Sequence, residues 1–175
     1  MDNILEVHNL AIVYKTSEEH VFAVNGISFE LAERETLGLV GETGAGKTTT
    51  ALAILQLLPR RAVITSGSIR YKGQELIGAS NSALNKIRGR KISMIFQDPM
   101  TALNPVMTVG EQVSEVLERH NEEGLDALGL EKKVRRLFKM VEIHPRRRKE
   151  YPHQFSGGMR QRIGIAMALA CTPEL

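Results

Sequence analysis

The sequence predicts an α/β fold, and three consecutive segments carry the prediction. Residues 36–40 (Thr-Leu-Gly-Leu-Val) are a short apolar run, as expected for a strand of a parallel sheet that is covered on both faces. Residues 41–48 then read G-E-T-G-A-G-K-T. Residues 47–58 contain neither Gly nor Pro, so they predict a helix, and Pro59 is expected to end it. Phosphate-binding loops occur in this order of strand, glycine-rich turn and helix.

The spacing G-x-x-x-x-G-K-T has a direct chemical meaning. Its glycines let the backbone curl so that successive N–H groups point at phosphate oxygens, and the positive end of the following helix adds to that field. Lys47 then reaches the β- and γ-phosphates, and the Thr48 hydroxyl ligates Mg²⁺. The alternative is a glycine-rich turn that binds nothing, and the strand–helix context disfavours it. The residues predicted to hold a nucleoside triphosphate are Gly41, Glu42, Thr43, Gly44, Ala45, Gly46, Lys47 and Thr48.

The composition is that of a soluble domain of ordinary size. The 175 residues are 42% hydrophobic and 25% charged, near the averages for globular proteins. A net charge of +3 is too small to indicate a nucleic-acid partner. The single cysteine, Cys171, excludes an internal disulfide and lies in an apolar run, where we expect a packed thiol. We expect neither a secretory signal nor a membrane-spanning segment, because no basic region precedes an apolar stretch and no run of about eighteen apolar residues occurs.

Strand patterns dominate the first part of the chain. Residues 1–35 and 66–73 predict an antiparallel β part, with a turn at Asn25-Gly26 and a short strand that ends before Lys72-Gly73. Residues 91–96 form a further apolar strand that Gln97 and the following Asp-Pro end.

Helical patterns follow between residues 101 and 153. Thr108 and Glu111 have the spacing of a capping box and predict the start of a helix. A second helix is predicted from about Leu130 to Val141, where apolar residues recur at helical spacing. The polar segment 118–129 between them contains two glycines and is expected to be a mobile connection.

A second motif precedes the uninterrupted helical run 163–170. Residues 155–162 read F-S-G-G-M-R-Q-R. Ser156 is a natural N-cap, whereas Gly costs a helix about 1 kcal/mol relative to Ala, so helix formation alone does not explain the glycine pair. The motif resembles the L-S-G-G-Q signature of ATP-binding cassette (ABC) ATPases, with Phe155 in place of Leu and Met159 in place of Gln. The resemblance covers essentially the whole chain.

The resemblance implies roles for further residues. Gln97 is similar to the family's Q-loop glutamine, which ligates Mg²⁺ and helps to place the attacking water; the alternative is a polar residue that closes a strand. Tyr14 is similar to the aromatic residue that stacks on adenine, and a core or turn tyrosine is the alternative. The resemblance thus implies that Gln97 and Lys47 are catalytic, that Thr48 and Gln97 bind the metal, and that Thr49 adds to the nucleotide site. Ser156, Gly157 and Gly158 would contact the ATP held by a partner cassette.

Two longer stretches indicate a subfamily. Residues 98–105 and 151–162 are similar to the importer ATPases for oligopeptides, dipeptides and nickel chelates. The resemblance implies an ATP- and Mg²⁺-dependent motor subunit, an ABC-type ATPase, at the cytoplasmic face of the cell membrane. Its expected partners are a second ABC ATPase, two membrane permeases and, indirectly, an extracytoplasmic solute-binding receptor, with no nucleic acid.

The predicted fold is therefore an α/β P-loop NTPase of the ABC type, C-terminally truncated. We expect a β part and phosphate-loop core in residues 1–100, a helical subdomain in 101–155 and the signature helix in 156–175. Residues 172–175 correspond to the entry into the Walker B strand, which carries an Asp and the catalytic Glu in this family. We therefore expect residues 1–175 alone to bind nucleotide weakly and not to hydrolyse it.

Two alternative functions and two surface features complete the predictions. An ABC-type ATPase of DNA maintenance is one alternative, although such proteins carry a long coiled-coil insertion and this chain has no sustained heptads. A nucleotide-binding fragment without turnover is the other. The basic run 146–149 is predicted to be a solvated helix end, and His144 and His153 to be surface residues.

Overall fold

An antiparallel sheet occupies the first part of the chain, in the strand order β2-β1-β3-β4. The computed structural model describes residues 3–17, 19–97 and 103–175, and the chain divides into two units, Met1–Asn85 and Lys86–Leu175. The strands of the first unit are β1 (Asn3–Lys15), β2 (His20–Ala32), β3 (Ala62–Tyr71) and β4 (Gln74–Glu75). Its helices are α1 (Lys47–Ile54) and α2 (Asn81–Ile87), the second of which extends past the division and was not predicted.

Apolar pairs across neighbouring strands build the core of the first unit. Val7 of β1 lies opposite Phe29 of β2 on one side and Ile69 of β3 on the other. Val7 and Ile69 are both fully buried, as expected for paired β-branched side chains on the covered face of a sheet. The antiparallel β part predicted from the sequence is therefore present, with β3 beginning four residues earlier than expected.

The β part turns at Lys72-Gly73, and the turn predicted at Asn25-Gly26 is wrong. Lys72 and Gly73, with φ of 47° and 77°, join β3 to β4 as a two-residue hairpin turn. At Asn25-Gly26, by contrast, β2 continues without turning. Leu10 pairs with Ile27 and Ala11 with Asn25, so Gly26 is left unpaired as a β-bulge at φ 71°. A bulge and a turn both favour glycine at positive φ, which is why the sequence pattern does not separate them.

Helix α1 begins at the predicted residue but ends at Ile54, before Pro59 is reached. Gln56 adopts a left-handed φ of 52°, and the N–H groups of Gln56 and Leu57 donate to the carbonyls of Ala53 and Leu52. This pairing is the Schellman motif, with a glutamine where glycine is more common. The Gln56 side chain also donates to the Ala53 oxygen at 2.7 Å, which further stabilises the early end.

The two predicted parallel strands are not strands in this structure. Residues 36–40 form no ladder with any described residue, and Val40 is 93% exposed. Residues 91–96 contain only an isolated bridge between Arg88 and Ile92, although the Ser93 N–H donates to the Leu175 oxygen at 2.8 Å. The physical reason is that an apolar run becomes a strand only when another strand satisfies its N–H and C=O groups. Asp98 and Pro99, which were predicted to end the second strand together with Gln97, lie outside the described residues.

The second unit is helical. It contains α3 (Val109–Arg119), α4 (Ala127–Met140) and α5 (Gly157–Leu169), with 3-10 turns at Pro145–Lys149 and Pro152–Gln154. Its buried core draws on all three helices and on the segments beside them: Leu103, Val109, Val113, Leu117, Val134, Leu137, Phe138, Val141, Ile143, Phe155, Ile163 and Ala166. The predicted boundaries at residues 100 and 155 stay predictions. Among the described residues, no helix is long and apolar enough to cross a membrane.

The start of α3 agrees with the sequence, whereas α4 begins at Ala127, inside the segment 118–129 that was predicted to be a connection. Thr108 accepts a hydrogen bond from the Glu111 N–H at 3.3 Å, and the Glu111 carboxylate accepts one from the Thr108 N–H at 2.8 Å. This is the predicted capping box. In the connection from α3 to α4, the Asn121 amide binds both the N–H and the oxygen of Leu125, at 2.9 and 2.8 Å. The connection that was expected to be mobile is therefore held in place by hydrogen bonds to a side chain.

Candidate functional site

The glycine-rich segment 41–48 forms a loop that ends in an uncapped helix. The Ala45 N–H donates to the Glu42 oxygen at 3.1 Å and closes a turn that contains Gly44 at φ 86°. Gly46, at φ 80°, is the N-cap of α1, and among the described residues no side-chain bond caps the first turn of that helix. The helix begins with free N–H donors, which is the arrangement that attracts an anion.

The Lys47 side chain folds back onto the first residues of this loop. Its ammonium group donates to the carbonyl oxygens of Gly41 and Glu42 at 2.6 and 2.7 Å. An ammonium group has three donors, so these bonds leave one unused. Among the described ion pairs, none neutralises Lys47 with a carboxylate. The loop therefore holds an unneutralised positive charge beside a helix N-terminus.

Gly46 fixes the loop against the sheet. A Cβ at this position would lie well inside the contact distance of the Ala23 carbonyl oxygen and 3.1 Å from the Val24 side chain. The buried Thr50 side chain donates to the Gly46 oxygen at 3.0 Å from one turn further along α1. Thr50 was not predicted from the sequence, although a hydroxyl residue four positions after an N-cap glycine is the available signal.

Tyr14 lies at the end of β1 and reaches helix α1. Its hydroxyl is 3.2 Å from the Thr49 hydroxyl, and the side chain is half-buried. The structure thus brings together two residues that the sequence placed at the nucleotide site. This contact is also what a tyrosine with a purely structural role would make, so adenine stacking stays a prediction.

The F-S-G-G-M segment begins α5, as predicted. Ser156 is the N-cap, and its hydroxyl accepts a hydrogen bond from the Met159 N–H at 3.4 Å. A Cβ added at Gly157 or Gly158 would meet no atom within 4 Å. Packing within the chain therefore does not require these glycines, and the first turn of α5 presents bare, exposed backbone.

The basic run 146–149 is not the solvated helix end that the sequence predicted. Arg147 forms a bidentate pair with Glu150, with the shortest N–O distance at 2.6 Å, and its guanidinium carbon lies 4.3 Å from the centre of the Phe155 ring. Arg148 forms an ion pair with Glu131 of α4. Charge runs are usually solvated, but here carboxylates at the right distance in the fold hold two of the four side chains half-buried. Arg146 and Lys149 are exposed, as expected.

The remaining predicted residues take no part in the contacts described so far. Gln97 is exposed at a bend in the second unit. His144 and His153 are exposed, in agreement with the prediction. Cys171 is half-buried, and burial raises the pKa of its thiol, which therefore stays protonated and behaves as a packed side chain.

The loop fits a phosphate group. An N-cap glycine, an uncapped first helical turn and an unneutralised ammonium supply converging donors and positive charge. The exposed Thr48 side chain stands at the first turn of α1, where an oxygen ligand for Mg²⁺ would be needed. These properties match what a triphosphate with its metal ion requires.

Comparisons with known proteins agree with the geometry. Residues 24–175 match the family model described as ABC transporter. The chain is 48% identical to the dipeptide transport ATP-binding protein DppD of Bacillus subtilis, covering 100% of this chain and 52% of that protein. It is 49% identical to the oligopeptide transport ATP-binding protein OppD of Escherichia coli, covering 99% and 51%. The chain thus spans about half the length of these relatives.

Solved structures give the same answer for the fold. The dimeric post-hydrolysis state of the ATP-binding cassette MJ0796, bound to ADP and Pi, has a TM-score of 0.86 at 29% identity, covering 97% of this chain and 70% of that one. CbiO1 of Clostridium perfringens, part of the ABC transporter complex cbiONQ, has a TM-score of 0.73 at 25% identity, covering 99% and 63%. The α/β cassette fold predicted from the sequence is confirmed, and the chain belongs to the ABC transporter family.

Proposed function

We propose that this chain is part of the ATP-binding and ATP-hydrolysing motor subunit of an importer for peptides or similar small solutes. The observation that carries the proposal is the loop 41–48, in which an unneutralised Lys47 lies beside the uncapped N-terminus of α1. The names of the relatives, which are dipeptide and oligopeptide transport ATP-binding proteins, support the solute class.

Each loop residue has a task in this proposal. The backbone N–H groups between Gly44 and Thr48 bind phosphate oxygens, and Lys47 exchanges a carbonyl contact for the β- and γ-phosphates. Thr48 and Gln97 are the residues that would hold Mg²⁺, which would neutralise phosphate charge. Gln97 also orients the attacking water, and Tyr14 stacks on adenine. The exposed position of Gln97 leaves its side chain accessible for that role.

The open first turn of α5 supports a second site for nucleotide. Because a Cβ added at Gly157 or Gly158 would have nothing within 4 Å, a phosphate group has room to approach the helix N-terminus there. We assign Ser156, Gly157 and Gly158 to the ATP held by the phosphate loop of a paired cassette. Closure of the paired cassettes on ATP then moves two membrane permeases at the cytoplasmic face of the membrane. A solute-binding receptor supplies these permeases with solute.

A chimera tests the proposal. This chain would replace the matching half of the E. coli OppD protein, which it resembles at 49% identity, in cells that lack that protein. Uptake of a labelled oligopeptide should be restored by the parent chimera. It should be lost in Lys47→Ala, which removes the phosphate grip, and in Gly157→Asp, which places a carboxylate against the phosphates of the paired site.

The outcomes separate the alternatives. A parent chimera that accumulates at normal levels and binds ATP but transports nothing would favour a nucleotide-binding module without a transport role. Transport that persists in Lys47→Ala would contradict the assignment of the phosphate loop.

A further inference from the structure

Arg147 touches the chain on both sides of the exposed Ser156–Gly158 turn. On the near side, its guanidinium donates to the Gln154 oxygen at 3.1 Å and lies over the Phe155 ring. On the far side, it donates to the Met159 sulfur at 3.4 Å. The planar guanidinium group of Arg147 therefore contacts the chain both before and after the turn.

The guanidinium is itself held in place. Glu150 accepts hydrogen bonds from Nε at 2.9 and 3.0 Å and from Nη2 at 2.6 Å. This charge-assisted pairing raises the pKa of Arg147 and lowers the pKa of Glu150. The Glu150 backbone oxygen accepts the Val109 N–H at 3.0 Å, so the pair is tied to the start of α3. The plane of the guanidinium is thus fixed by elements outside α5.

The aromatic partner is buried. Phe155 is only 4% exposed and belongs to the core of the second unit, directly before Ser156. A guanidinium over a buried ring combines stacking with cation–π attraction, which a flexible ammonium group reproduces poorly. The direction in which the chain leaves Phe155 and enters α5 is therefore set by Arg147 together with the core.

We propose that Arg147 is a positioning residue for the composite nucleotide site, because it fixes the Ser156–Gly158 turn that faces the partner's ATP. This inference rests on the proposed function. Glu150 neutralises the charge of Arg147, so the residue acts through orientation rather than through its field at the phosphates. A loosened turn should weaken interactions with ATP across the pair and leave the phosphate loop of the same chain intact.

The test compares neighbouring arginines in the OppD chimera assembled with its transporter. Arg147→Lys keeps the charge but removes the fork and the stacking. Arg148→Lys is the matched structural control, because Arg148 also forms a half-buried ion pair, yet its partners are Glu131 and the Pro145 oxygen rather than residues 154–159. Arg146→Lys controls for an exposed site.

Three quantities are measured: ATP hydrolysis by the complex, binding of a fluorescent ATP analogue to the isolated chimera subunit, and the thermal midpoint. Arg147→Lys should lower hydrolysis by about tenfold to 100-fold, the range for a misplaced active-site group, with analogue affinity within about twofold of the parent. Arg148→Lys should lose a similar amount of thermal stability and keep nearly full hydrolysis.

Equal hydrolysis in Arg147→Lys and the parent would overturn the inference. So would equal losses in Arg147→Lys and Arg148→Lys, since those would follow stability alone. A parent chimera with neither hydrolysis nor transport would instead reject the proposed function, so the two failures are distinguishable.

Discussion

At Gly46 the phosphate loop passes so close to β2 that only a hydrogen fits as a side chain. Gly46→Ala should destabilise the first unit by more than about 2 kcal/mol, because left-handed backbone costs a non-glycine residue about 1–2 kcal/mol and the new methyl also collides with the Ala23 oxygen. Gly44→Ala is the control, since φ is 86° but nothing lies within 4 Å, and only the backbone cost applies. Urea denaturation measures the free energy of unfolding of both variants. Equal losses would show that the contact with Ala23 contributes nothing to stability.

Tyr14 has two candidate roles, and a pair of substitutions separates them. Tyr14→Phe keeps the ring and removes the hydroxyl that contacts Thr49 at 3.2 Å. If the ring stacks on a base, Tyr14→Phe should bind ATP like the parent, and Tyr14→Ala should lose about 1–3 kcal/mol for ATP and GTP alike. Titrations with both nucleotides measure this. A Tyr14→Phe variant as weak as Tyr14→Ala would assign the residue to packing between β1 and α1.

Single residues also show where sequence patterns stop being informative. The G-x-x-x-x-G-K-T spacing located the loop because that backbone geometry is local to the motif. The partners of Arg147 were not predicted, because Glu150 meets it through the 3-10 turn Pro145–Lys149 and Phe155 meets it only after a second 3-10 turn, Pro152–Gln154. A basic run in sequence carries no information about which of its charges find partners in the fold.

Among the elements, α3 depends on its first turn. Thr108→Ala removes the hydroxyl that accepts from the Glu111 N–H and should cost about 0.5–2 kcal/mol, the usual effect of losing an N-cap. Ser114→Ala is the control, because its exposed hydroxyl bonds only the Glu118 carboxylate in the same helix, and it should change stability by less than about 0.5 kcal/mol. Equal effects in chemical denaturation would exclude the cap as the source.

Carboxylates at the ends of the helices give the second unit a pH dependence. Hydrogen bonds from Thr108, Arg135 and Arg147 lower the pKa of Glu111, Glu131 and Glu150, respectively. A lowered folded-state pKa means that the stabilisation is complete above the ordinary glutamate pKa of about 4.3 and is lost as pH falls through the lowered values. The denaturation midpoint should therefore decrease as the pH is lowered below about 4, and this decrease should be smaller in Glu150→Gln. A slope that does not change in Glu150→Gln would contradict the contribution of this pair.

Elements with local signals were predictable, and elements that depend on distant pairing were not. The capping box fixed the start of α3 because both partners lie within four residues. The run 36–40 has strand composition, yet Leu37, Leu39 and Val40 are 45%, 45% and 93% exposed and form no ladder among the described residues. Composition indicates what a segment prefers, whereas a strand requires a hydrogen-bonded neighbour that composition does not supply.

At the scale of the whole molecule, the two units divide the proposed function. The first holds the phosphate loop with Tyr14, and the second holds Gln97 and the Ser156–Gly158 turn. The chain shares the ABC transporter family with relatives about twice its length. Binding of ATP at the loop is the claim on which the transport and pairing proposals both depend.

ATP binding at the loop is tested by calorimetric titration of ATP with Mg²⁺ into the purified OppD chimera and its Lys47→Ala variant. The parent should bind with measurable heat, and Lys47→Ala should show no binding while its circular dichroism spectrum stays unchanged, because Lys47 supplies the unneutralised ammonium of the loop. Equal ATP affinity in the two proteins would contradict the account, since the phosphate grip would then lie elsewhere than residues 41–48.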